Sequence, residues 1–138
     1  MIKKIIFRLI TITLISLSIT ACVSTSPAKT INNKNYQTLC NPLILHKNQE
    51  LIVALPSSAH SGYKWQLEND ATAILQLNKN HTQKDDHPEN HLHRQETIWK
   101  FKAIKSGTGT LSFIYRLDWD TNIEDNQHIQ CEINVNDN

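Results

Sequence analysis

The chain has 138 residues, with 14 Lys and Arg against 13 Asp and Glu and a formal net charge of +1. A nearly neutral chain with no basic stripe argues against nucleic acid as a partner. Once the termini are set aside, the length leaves room for one small domain with a single core.

The N-terminus carries an address. Lys3, Lys4 and Arg8 precede an apolar run mixed with Thr and Ser, which closes on small residues before Cys22. That order of charged, apolar and cleavage regions is a secretory signal, and the apolar part is too short and too interrupted for a comfortable transmembrane helix. Ile19-Thr20-Ala21-Cys22 resembles the bacterial lipobox. The expectation is a signal peptide over residues 1–21 and lipidation of Cys22 as the mature N-terminus. The alternative is an ordinary signal with an incidental cysteine. Val23 follows where Asp would retain such a protein at the inner membrane, so the outer membrane of a bacterial envelope is expected, with the domain facing the periplasm or the surface. Residues 22–35 are polar and without periodicity, and read as a flexible tether. The domain is expected over residues 36–138.

Within that domain the apolar residues recur with period two. Leu51, Val53 and Leu55 share one face of Glu50–Leu55, and Tyr63, Trp65 and Leu67 alternate after a polar break. Ala73–Leu77 is a weaker strand, and residues 71–77 are also compatible with a helical turn. The histidine-rich stretch Asn78–Glu96 reads as a long loop. Trp99, Phe101 and Ala103 then share a face, followed by Leu111, Phe113, Tyr115 and Leu117, and finally by Ile129, Cys131, Ile133 and Val135. Short strands with one buried face, separated by polar breaks, define an all-β chain. The expected architecture is a β-sandwich of about seven to eight strands.

Cys40 and Cys131 lie near the two ends of this domain. In an oxidising compartment such a pair reads as a disulfide, with two free buried thiols as the alternative. Enzyme patterns are missing: there is no G-x-S-x-G elbow, no phosphate-binding glycine loop and no H-E-x-x-H. No cofactor is expected. His81, His87, His91 and His93 have the chemistry to bind Zn or Cu, but the stretch lacks a spacing that fixes ligand geometry, and no metal site is assigned.

Three separated pieces form a further pattern. Leu55-Pro56-Ser57 leads into Gly62, Tyr63 and Trp65; Leu111, Phe113 and Tyr115 form a later strand; Arg116 and Trp119 follow it. This resembles the chagasin family, protein inhibitors of papain-like cysteine peptidases, which carry Asn-Pro-Thr-Thr-Gly before an aromatic and a Trp, and Arg-Pro-Trp after a Leu-x-Phe-x-Tyr strand. Ser58, Ala59, His60 and Ser61 depart from the first motif, and Arg116-Leu117-Asp118-Trp119 is one residue longer than the second. No glycine stands near Asn90–Gln95, where the family has a glycine-rich loop.

The resemblance implies an immunoglobulin-like sandwich and reversible, noncovalent inhibition by three loops that block the peptidase cleft. The residues it assigns to peptidase binding are Ser58, Ala59, His60, Ser61, Gly62, Tyr63, His91, Leu92, His93, Arg116, Asp118 and Trp119. It implies a monomer whose target is the cell's own peptidase or a host's. Each residue also has a plainer role. Trp65 alternates with Leu67 and reads as core, Gly62 as a turn residue, Trp119 as a cap on the core, and Arg116 with Asp118 as a surface ion pair. Two rival functions are an envelope protein-binding or assembly lipoprotein that keeps the fold without inhibition, and a metal-binding lipoprotein acting through the histidine-rich stretch.

Overall fold

The computed structural model describes residues 26–58, 61–84, 94–119 and 127–137. Eight strands form two four-stranded sheets. They are β1 (Lys29–Asn32), β2 (Leu43–His46), β3 (Glu50–Ser58), β4 (Tyr63–Asp70), β5 (Leu75–Lys84), β6 (Arg94–Ala103), β7 (Gly107–Leu117) and β8 (Gln127–Asn136), with one helical turn, α1 (Tyr36–Leu39). One sheet has the order β1-β3-β6-β5 and the other β2-β8-β7-β4. The all-β sandwich is therefore as expected, and immunoglobulin-like.

The period of two does most of the folding work. Leu51 pairs with Phe101 and Val53 with Trp99 across β3 and β6, so the apolar sets of two strands fall on one face. On the facing sheet Leu111 pairs with Cys131 and Phe113 with Ile129. All eight of these residues are at most 1 % exposed except Ile129 at 3 %. Trp99 and Phe113 meet across the layers with ring centroids 4.8 Å apart, a tilted aromatic pair of the favourable kind.

Three expectations are corrected. The first is the tether. Residues 29–32 of the expected tether form β1, which pairs in parallel with β3, and Ile31 is buried. One apolar residue in a polar segment has no visible periodicity, yet it fills the end of the core beside Val53. The second is the long loop Asn78–Glu96. Residues 78–84 continue β5, and 94–96 begin β6, paired out to Lys84 and Gln95. The remainder of that stretch, with His87, His91 and His93, lies outside the described residues. The third is β2, which the sequence reading did not separate. It puts Leu43 and Leu45 in the core by pairing in parallel with β8.

At residues 71–75 the helical-turn reading holds, because Ile74 N–H and Leu75 N–H both donate to the Ala71 carbonyl. β5 then starts at Leu75. A register shift falls between Leu77 and Lys79, and Leu77, on this edge strand, is exposed.

The chain from β1 to β2 crosses from the edge of one sheet to the edge of the other, through α1. A disulfide between Cys40 and Cys131 fastens that crossing to β8, as expected, with the Cα atoms 4.5 Å apart.

Candidate functional site

Strand register brings the candidate site together. Ser58 at the end of β3 pairs with Arg94 at the start of β6. Lys84 at the end of β5 pairs with Gln95. On the other sheet Tyr63 at the start of β4 pairs with Leu117 at the end of β7, and Tyr115 pairs with Gln127 at the start of β8. The β3–β4, β5–β6 and β7–β8 connections therefore all leave from one end of the sandwich. Ala59, His60, His91, Leu92 and His93 belong to these connections and lie outside the described residues.

The interior changes character at this end. Inward positions that continue the faces of Leu55 and Trp99 are polar: Ser57, Gln95, Thr97, Asn80 and Thr82. Together with Tyr63 they line a cleft of about 400 Å³ between the sheets. The hydroxyl of Ser57 is buried without a hydrogen-bond partner. Apolar packing therefore stops near Leu55 and Trp65, and what lies beyond is held by hydrogen bonds and aromatic contacts.

Trp65 is 7 % exposed and its Nε1 donates to the Pro56 carbonyl at 2.9 Å, so it is core, in line with the plainer reading. Its ring lies 5.0 Å from that of Tyr115, which stacks on Tyr63 at 5.4 Å. These three rings close the core beneath the β3–β4 connection. Ser61 tightens that connection: its hydroxyl accepts from Tyr63 N–H at 3.3 Å and donates to the Ser58 carbonyl at 3.5 Å.

Gly62 has φ of +73°, in the left-handed region that side chains avoid. A Cβ at this position would also stand 3.2 Å from Leu117 Cδ2 and 3.3 Å from Trp119 Cη2. The Trp119 indole therefore rests against the backbone of the β3–β4 connection. Trp119 is nonetheless 75 % exposed. It is not a core cap, which corrects one of the two readings of this residue.

Arg116 and Asp118 do not form the ion pair considered from the sequence. Asp118 Oδ2 accepts from Lys64 Nζ at 3.0 Å, and its Oδ1 accepts from Gln66 Nε2 at 2.9 Å. Gln66 Oε1 in turn accepts from Arg116 Nε at 2.9 Å. The hydrogen bond and charge of Lys64 hold the Asp118 carboxyl below its ordinary 3.8. Sequence reasoning missed Lys64 and Gln66 because polar residues on the outer face of a strand look alike until their partners are known. Their one visible signal is the alternation with Tyr63, Trp65 and Leu67, which sends both to the same outer face.

Among the described residues no group of His, Cys, Asp and Glu is arranged to hold a metal ion. The sandwich thus presents three connections and an exposed tryptophan at one end. Residues 44–133 match the model of the chagasin family peptidase inhibitor I42, and the chain belongs to that family.

Solved structures agree on the fold. The cysteine protease inhibitor EhICP2 from Entamoeba histolytica superposes with a TM-score of 0.66 at 18 % identity, covering 80 % of this chain and 96 % of its own. The solution structure of amebosin gives 0.57 at 19 % identity, covering 80 % of this chain and all of its own. No curated protein sequence matches this chain.

Proposed function

We propose that the protein is a reversible, noncovalent inhibitor of papain-like cysteine peptidases, which it blocks by seating the loops of one sandwich end in the active-site cleft. The observation that carries this reading is Trp119, 75 % exposed and lying on Gly62, at the end where the three connections of a peptidase-inhibitor family member converge. An exposed tryptophan held against backbone supplies a large apolar area with little ordering cost on binding. The β3–β4 connection carries Gly62, whose missing side chain lets main chain come close to another surface. Binding of this kind needs no nucleophile.

The target class is papain-like peptidases, the cell's own or a host's, met by a monomer. Lipidation at Cys22 would hold the domain at the envelope by a short linker that ends before β1. Steady-state titration of papain and a cathepsin-type peptidase with the purified protein tests the reading. Tight inhibition that is relieved on dilution is expected. No inhibition at tens of micromolar protein would refute it.

A further inference from the structure

Trp119 lies two residues beyond the last residue of β7, at the end of the sandwich where the interior is polar. It is 75 % exposed, and its indole approaches the backbone at Gly62. What fixes the turn is the residue before it. Asp118 reaches back over the outer face of β4, and its two carboxylate oxygens are taken by two different residues of that strand, Lys64 and Gln66. Those residues are two apart and so lie on one face. Gln66 is itself oriented, since its amide donates to Asp118 while its carbonyl accepts from Arg116. The network runs from β7 to β4 and back to the turn. β4 is also the strand that the β3–β4 connection enters at Tyr63.

We propose that Asp118 is not a peptidase contact but a positioning residue: with Gln66 and Lys64 it clamps the chain just beyond β7 to β4, so that Trp119 is held against Gly62 before any partner binds. The inference rests on the inhibitor reading for its consequence, but the clamp itself is a property of the free protein. An exposed ion pair adds little to global stability. Its value here is local, in removing the rotational freedom that Trp119 would otherwise lose on binding.

The test has two arms. Of the three tryptophans, Trp65 and Trp99 are buried, so the fluorescence that acrylamide quenches reports Trp119. In the free protein, Asp118→Ala and Gln66→Ala are expected to increase fast local depolarisation of that component, with the unfolding midpoint nearly unchanged. Asp118→Asn, which keeps one acceptor, should fall between them and the wild type. Unchanged depolarisation in both alanine variants would overturn the clamp, whether or not the wild type inhibits anything. In the second arm, Asp118→Ala should weaken inhibition about tenfold and should weaken it little further once Trp119 is already Ala. Full additivity of the two substitutions would make Asp118 an independent contact and overturn the positioning role.

Discussion

Replacing Trp119 by alanine separates the two things a tryptophan just beyond a strand can do. A fully buried tryptophan removes roughly 150–250 Å² from water. With 75 % of Trp119 still exposed, about 150 Å² remains available to a partner, worth about 4 kcal/mol at 25 cal/mol per Å². Interface tryptophans of this kind cost about 2–4 kcal/mol on truncation, so inhibition should weaken by about 30-fold to 1,000-fold. Among the described residues the fold loses the approach of the indole to Gly62, and a side chain this exposed contributes little to the core. The thermal midpoint should therefore move by less than about 5 °C. Trp99→Ala is the control. Trp99 is 1 % exposed and packed on Phe113, and its loss should cost about 3–5 kcal/mol. Calorimetric melting and peptidase titration of the two variants read both quantities. A Trp119→Ala protein that melts far below the wild type, or inhibits as well as it does, would refute the reasoning.

Gly62→Ala should lower the melting midpoint and weaken inhibition together, since the left-handed φ alone costs about 1–2 kcal/mol and the new Cβ meets Leu117 and Trp119; an alanine variant indistinguishable from wild type would show that this backbone is not required. Replacing Cys40 and Cys131 by Ser opens a bridge across a sequence separation of 91, and chemical denaturation should show a loss of about 4 kcal/mol on the chain-entropy model. A loss under 1 kcal/mol would mean that α1 and β8 stay associated without the bridge. For Asp118 the sign follows from its lowered carboxyl. A depressed folded-state value gives stability that is present above the unfolded value and lost as pH falls through the folded one. The gap in midpoint between wild type and Asp118→Asn should thus be small, as for any exposed ion pair, largest near neutrality and closing below 3.8. A gap that widens on acidification would contradict the ion pair with Lys64.

What was legible in the residues follows how each element is stabilised. β3, β6, β7 and β8 are held by apolar side chains on one face, and alternation reveals them directly. β1 has one such residue, Ile31, and exists because β3 offers it an edge. β5 beyond Leu77 is polar on both faces at the open end of the sandwich, so its composition is that of a loop while β6 supplies its partner. Period-two reasoning missed Ile114 as well: it is buried on the outer face, between Gln66 and His128 in register, apart from the main core. The disulfide is readable from the cysteine count together with the expected compartment. The contacts of Asp118 are not, because Lys64 lies 54 positions away and only the β4–β7 register brings the two together.

The division of the sandwich into an apolar body and a polar open end makes the loop tip separable from the fold, and that can be put to use. Ser58-Ala59-His60-Ser61 stands where the family motif has Asn-Pro-Thr-Thr, while Gly62, Tyr63 and Trp65 keep its second half. The retained residues are those with structural work to do: Gly62 makes the turn, Tyr63 stacks on Tyr115, and Trp65 is core. Of the substituted ones, Ser58 and Ser61 are exposed, and threonine at position 61 keeps the hydroxyl that bonds Ser58 and Tyr63, so exchanging the four residues for the family sequence should shift the melting midpoint by no more than about 3 °C. Proline at the second position pre-sets one backbone angle and lowers the ordering cost on binding. Inhibition of papain should tighten, by about tenfold. If the exchanged loop instead leaves papain inhibition unchanged or weakens it while the fold stays intact, the present tip is fitted to a peptidase whose cleft differs from that of papain, and the search for the target should begin with His60.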